Sequence, residues 1–234
     1  MDTLRKHFVP RQVPLEPFAF ERCRDGLQRY FAELPKQEPV ELAKYYRNLA
    51  LSTPMLTNEQ LEAAAASVTL DDLRRFQRRF LTEIDIEALV CGNVSPMQAE
   101  KVVQQLQLAL PSQPLAAERR PTRMVRKVPL GGALQQYVTA NTVETNSVTE
   151  VYFQVGTDQG DVWVLLTLLS QMMNRAFYAA LRTQQQLGYV VRCFNNEIDG
   201  VKGLAFLVQS ATVAPPEVRF AYDCSRDGRA LSCQ

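Results

Sequence analysis

Apolar positions in the first 110 residues recur mostly at helical spacing. Phe20, Leu27, Tyr30, Phe31 and Leu34 follow Pro17 and predict a helix that closes at Pro35. Pro39 sits at a first helical position, with Leu42, Tyr45, Tyr46 and Leu49 behind it. After Pro54, Thr57 or Asn58 opens a third helix by accepting a hydrogen bond from an orphan backbone N–H. Thr69 and Asp72 stand at the reciprocal positions of a capping box, and Val68 is spaced to staple onto Leu73. That helix continues through Phe76, Phe80 and Leu81. The period then drops to two. Ile84, Ile86, Ala88 and Val90 alternate with Asp85 and Glu87, which predicts a half-buried strand. Ser95 and Pro96 start another helix, with Ala99, Val102, Val103 and Leu106 as its buried stripe.

Residues 111–129 break the pattern. Pro111, Pro114, Pro121 and Pro129 punctuate a basic run of Arg119, Arg120, Arg123, Arg126 and Lys127, which reads as a solvated inter-domain connector. Gly131-Gly132 then leads to a candidate strand at Leu134–Thr139, and a β-branched and aromatic run at Val148–Val155 gives another. A long helix is expected from about Gln159 toward Leu187, with Leu165, Leu169, Met172 and Ala176 on one face. Gly188 is expected to end it as a left-handed cap. Tyr189–Phe194 and Leu204–Val208 form a hairpin around Asp199-Gly200. The most apolar stretch, Val162–Met173, is shorter than the roughly 20 residues of a bilayer span and reads as a buried core helix.

Charge narrows the function classes. The formal net charge of +1 lacks the electrostatic footprint of a nucleic-acid binder, and no membrane partner is indicated. The five cysteines contain no C-x-x-C pair, and Cys91 reads as a small buried hydrophobe. Free thiols and an N-terminus without an apolar signal core favour the cytoplasm. Glycine-rich phosphate loops are absent, as are H-E-x-x-H and its inversion. The single histidine, His7, argues against a self-contained metal or triad enzyme.

The informative stretch is Leu181-Arg-Thr-Gln-Gln-Gln-Leu-Gly-Tyr-Val-Val191. With Gly188 ending the helix, Tyr189 projects from the turn into the next strand. Spacing alone leaves two readings open. One makes Arg182 a surface cation and Tyr189 an apolar cap contact; the other makes them ligand contacts.

This segment resembles the signature in the fourth domain of the insulinase, or pitrilysin, family of zinc metallopeptidases. Gly203–Ser210 (G-L-A-F-L-V-Q-S) resembles the family's next strand. Ala88–Val94 (A-L-V-C-G-N-V) and Gln37–Arg47 (Q-E-P-V-E-L-A-K-Y-Y-R) resemble a strand end and a helix start in its third domain. The resemblance implies four homologous α/β domains in two bowl-shaped halves that enclose a peptide, with zinc and an H-x-x-E-H base in the first. It implies that Arg182 and Tyr189 are substrate-binding residues. A guanidinium fork and a phenol suit peptide carbonyl oxygens and developing negative charge.

The fold expected is α+β: a helix-rich unit with a strand–helix end, then a partial α/β sandwich domain of the insulinase type. Its parts would be the C-terminal part of a third domain (1–110), a linker (111–129), the first half of a fourth domain (130–220) and a divergent tail (221–234). No zinc ligand set or catalytic base is expected in this chain; zinc belongs to the full-length family members. The expected function is the non-catalytic, peptide-cradling C-terminal portion of a zinc endopeptidase. Its partners would be a peptide substrate and a complementary zinc-bearing N-terminal half. Two other readings stay open: a non-catalytic interaction protein derived from the family, and a truncated non-functional fragment.

Overall fold

The computed structural model describes residues 15–80, 82–110, 112–139, 141–157 and 160–218. His7, Leu81, the start of the long helix at Gln159 and the 221–234 tail lie outside them. In chain order the elements begin with α1 (Pro17–Glu33), α2 (Pro39–Leu51), β1 (Ser52–Thr53), α3 (Asn58–Ser67) and α4 (Leu70–Phe80). Next come β2 (Glu83–Ile84), α5 (Pro96–Ala109), β3 (Gln113–Pro114) and β4 (Met124–Val125). The chain continues with β5 (Ser147–Thr157), α6 (Val162–Tyr178), a π-helical stretch (Ala179–Gln184), β6 (Val190–Ile198) and β7 (Val201–Ser210). Contacts divide the chain into two compact units, one of residues up to Tyr30 with Glu59–Thr122, the other of Phe31–Asn58 with the residues from Arg123 onward.

The first unit carries the local signals the sequence announced. The Thr69 hydroxyl accepts from the Asp72 N–H at 3.2 Å, and the Asp72 carboxylate accepts from the Thr69 N–H at 3.1 Å. Ser95 and Gln98 cap α5 in the same reciprocal way. The alternating segment, however, pairs only at its first two residues, where Glu83 and Ile84 run parallel to Gln113 and Pro114. Residues 85–90 form no ladder with a described residue, and Leu89 is 90% exposed. Alternation specifies which face of a strand is apolar, but only a neighbouring strand makes it a strand. Cys91 is exposed rather than buried, and the expected stripe of α5 is covered only in part, with Val102 exposed. The basic run is partly paired: Arg119 bonds Glu83, and Arg120 lies 3.1 Å from Asp85.

The second unit is built on an antiparallel sheet of order β5-β7-β6. Its central strand is buried from Lys202 to Val208, as a strand flanked on both edges and covered on both faces should be. On one face Leu166 of α6 packs with Cys193, Leu204 and Phe206. A second cluster joins Leu181, Val191, Val208 and Val218. On the opposite face α2 meets β5: Arg47 donates to Glu150 at 2.7 Å and to Asn196 on β6 at 3.2 Å. Tyr152 lies against Gly203, where any Cβ would run into its ring. The hairpin turns at Asp199-Gly200, both at positive φ (44° and 83°), as the sequence predicted.

Two expectations for this unit need correction. Val162–Met173 is not buried all round. Leu166 and Ser170 face inward, whereas Val164, Leu165, Leu168, Leu169 and Met172 are exposed. A helix seated on one sheet buries one stripe, and this helix carries more apolar residues than one stripe holds. Leu134–Thr139 forms no strand; it follows two glycines at positive φ, and Leu134 and Val138 are exposed. β-propensity without a sheet edge to pair with does not fix a strand.

Candidate functional site

The helix that begins at Val162 widens after Tyr178. From Ala179 to Gln184 it is π-helical, and the Gln185 N–H reaches back five residues to the Ala180 carbonyl at 3.1 Å. Such widened turns recur at functional sites because they re-aim side chains within an otherwise regular helix. Leu181, 1% exposed, anchors the stretch in the core, and Arg182 beside it is half-buried.

The turn out of the helix differs from the one expected. The left-handed residue is Gln186, at φ 52°, not Gly188. Gly188 has a backbone conformation open to any residue; what it requires is room. A Cβ there would run into the Gln209 carbonyl oxygen on β7 and lie 2.9 Å from Val208 Cγ1. Glycine is found where one backbone must approach another this closely. The approach lets the Tyr189 N–H bond the Gln209 carbonyl at 2.9 Å, which seats the start of β6 against the central strand.

Both candidate residues meet at this turn. Arg182 Nη1 donates to the Gly188 carbonyl at 3.1 Å, and its guanidinium carbon lies 5.2 Å from the Tyr189 ring centroid. That distance is within the range of a cation–π contact. Tyr189 is 77% exposed, so it is not the buried cap contact of the alternative reading. The cluster therefore presents an aromatic face and a phenol to solvent, with a guanidinium held beside them. Arg182 commits one of its five N–H donors to the Gly188 carbonyl. The structure brings the two expected residues, Arg182 and Tyr189, together, but Gly188 has a different task from the expected left-handed cap, and Gln209 was not expected at this turn. Nothing local marks Gln209, which reaches the site through strand pairing.

Other chemistry lies elsewhere. Burial pushes the Cys193 thiol up to about 11 and raises the Tyr152 phenol above its usual value, so both are structural groups rather than nucleophiles. Among the described residues no three His, Cys, Asp or Glu side chains are grouped to hold a metal ion. These residues do not fit the zinc that the family resemblance implies. No described helix is long and apolar enough to cross a membrane.

Comparison with known proteins agrees with this architecture. Residues 168–224 match the family model described as PQQ synthase PqqF-like, C-terminal lobe domain 4. Over 195 residues the chain is 29% identical to mouse insulin-degrading enzyme, covering 82% of this chain and 19% of that protein. Over 216 residues it is 29% identical to a nardilysin-like protein of Arabidopsis thaliana, covering 91% of this chain and 20% of that one. It thus spans about a fifth of the length of these relatives. In fold it is similar to pitrilysin, with a TM-score of 0.70 and 19% identity over 92% of this chain and 22% of that one. It is also similar to a peptidase M16 inactive domain from Pseudomonas fluorescens, with a TM-score of 0.53 and 15% identity over 91% of this chain and 52% of that one. Taken together, these likenesses make the chain similar to part of the C-terminal region of the insulinase, or pitrilysin, family of metallopeptidases.

Proposed function

We propose that this chain is the non-catalytic, peptide-cradling C-terminal portion of an insulinase-type zinc endopeptidase. The observation that carries the reading is the pairing of Arg182 with an exposed Tyr189 at one strand start. The guanidinium binds a peptide carbonyl oxygen, and the phenol donates to the same or the next one. Exposed aromatic rings also supply contact area at low entropic cost. The chain holds and orients peptide; bond cleavage requires the complementary zinc-bearing half. By descent, residues 1–110 are the end of a third-type domain, 111–129 a linker, 130–220 the start of a fourth-type domain and 221–234 a divergent tail, in a cytoplasmic protein.

The test is a quenched-peptide assay of the purified chain with added zinc. No turnover is expected, and chelator-sensitive cleavage would overturn the non-catalytic assignment. A second reading, a non-catalytic interaction protein, is favoured by the exposed apolar face of α6 at Leu165, Leu168 and Met172. An upstream H-x-x-E-H in the same transcript would exclude it.

A further inference from the structure

We infer that Gly188 is a positioning residue: because it lacks a Cβ, it sets Tyr189 against Arg182 and the central strand. The inference rests on the reading of Arg182 and Tyr189 as peptide contacts. Three bonds hold two peptide units of the turn, 186–187 and 188–189. Arg182 Nη1 holds the Gly188 carbonyl at 3.1 Å, the Tyr189 N–H holds the Gln209 carbonyl at 2.9 Å, and the Leu187 N–H holds the Leu181 carbonyl at 2.9 Å. Leu181 is at the centre of a core cluster, so this frame is rigid on the helix side. β7 is rigid on the other side, paired along both edges. A methyl group at 188 meets backbone first, the Gln209 carbonyl, and then Cγ1 of Val208, a buried β-branched side chain with little room to yield. Relief requires the 188–189 segment to lift off β7, which carries the Tyr189 ring away from the guanidinium.

This role differs from a helix cap. A cap at positive φ accepts Asn in place of Gly, and Gln186 already fills that conformation here. At 188 the obstacle is volume, so Asn and Ala are both excluded.

The test uses the full chain labelled with nitrogen-15 and carbon-13. In the wild type, the Arg182 side-chain protons are expected upfield of their position in Tyr189→Leu, through the ring current of the stacked tyrosine. Gly188→Ala should lose that shift while the amides of Val201–Ser210 keep their native positions. Fluorescein-labelled insulin B chain is the binding probe. Gly188→Ala should weaken its binding about tenfold, the loss expected of Tyr189→Ala, and the double variant should bind no worse than either single one. Additive losses would show a merely structural glycine and overturn the inference, as would a ring-current shift that survives Gly188→Ala. A lost shift with undiminished B-chain binding supports the positioning role and refutes the peptide-contact reading. If Gly188→Ala does not fold, the wild-type spectrum decides. An Arg182 shift with a protected Tyr189 amide supports the inference, and no shift relative to Tyr189→Leu overturns it.

Discussion

Arg47 and Glu150, 103 residues apart in the chain, form an ion pair at 2.7 Å with both side chains at most 10% exposed. The pair pins α2 to the sheet face opposite α6. Arg47 Nε and Glu150 Oε2 are buried without a hydrogen-bond partner among the described groups, so the pair carries a desolvation cost along with its attraction. Glu150→Gln, which strands a buried guanidinium, should cost about 3–5 kcal/mol in urea unfolding. Arg47→Met with Glu150→Leu should come within about 1–2 kcal/mol of wild type. A cost for the single substitution no larger than that of the double would show that the pair is solvated.

The two sides of α6 should answer differently to substitution. Leu166→Ala opens the core formed with Phe206 and should cost about 2–5 kcal/mol. Leu168→Gln, at a site 55% exposed, should stay within about 0.5 kcal/mol and reduce self-association at high concentration. Equal destabilisation by the two would mean that α6 is covered on both sides.

Acid stability should report the α4 cap. Hydrogen bonds from Thr69 side chain and backbone lower the Asp72 carboxyl below its ordinary 3.8. A carboxyl whose folded pKa is depressed stabilises the fold fully above its unfolded pKa and loses that contribution as pH falls through the folded value. Melting temperature should therefore fall below about pH 4, and Asp72→Asn should flatten that fall while lowering stability at neutral pH. A variant with an unchanged acid slope would remove Asp72 from the cap.

The thiols should separate by site. Cys23 and Cys91 are exposed, whereas Cys193 is buried with its pKa raised from 9.0 to about 11. Maleimide labelling read by peptide mass spectrometry at pH 7.5 should mark the first two within minutes and Cys193 only in denaturant. The same shift has an alkaline consequence. A raised folded pKa gives stability that is complete below the unfolded value and lost as pH climbs toward 11, so Cys193→Ala should lessen that loss.

What the sequence made legible was local. The Thr69–Asp72 cap, the Ser95 N-cap with Pro96 behind it and the Asp199-Gly200 turn are each set by residues within a few positions of one another. Elements that depend on distant partners were misread. Ile84–Val90 alternates like a strand but pairs only at Glu83 and Ile84, and Leu134–Thr139 pairs with no described strand. At the candidate site, Arg182 and Tyr189 were visible from a motif. The reason for Gly188 was not, because it lies in Gln209, a residue 21 positions away that strand pairing brings to the same point. Arg47 closes the Gln37–Arg47 segment that resembles a family helix start, but a helix arginine announces neither burial nor partner.

Whether Arg182 and Tyr189 hold peptide is decided by fluorescence anisotropy of labelled insulin B chain against the wild-type chain, Arg182→Ala and Tyr189→Ala, each checked for fold by its amide spectrum. Peptide binding at this pair requires saturable binding by the wild type, weakened about tenfold or more in each variant, with the peptide recovered intact by mass spectrometry. Equal affinity in all three proteins would contradict it.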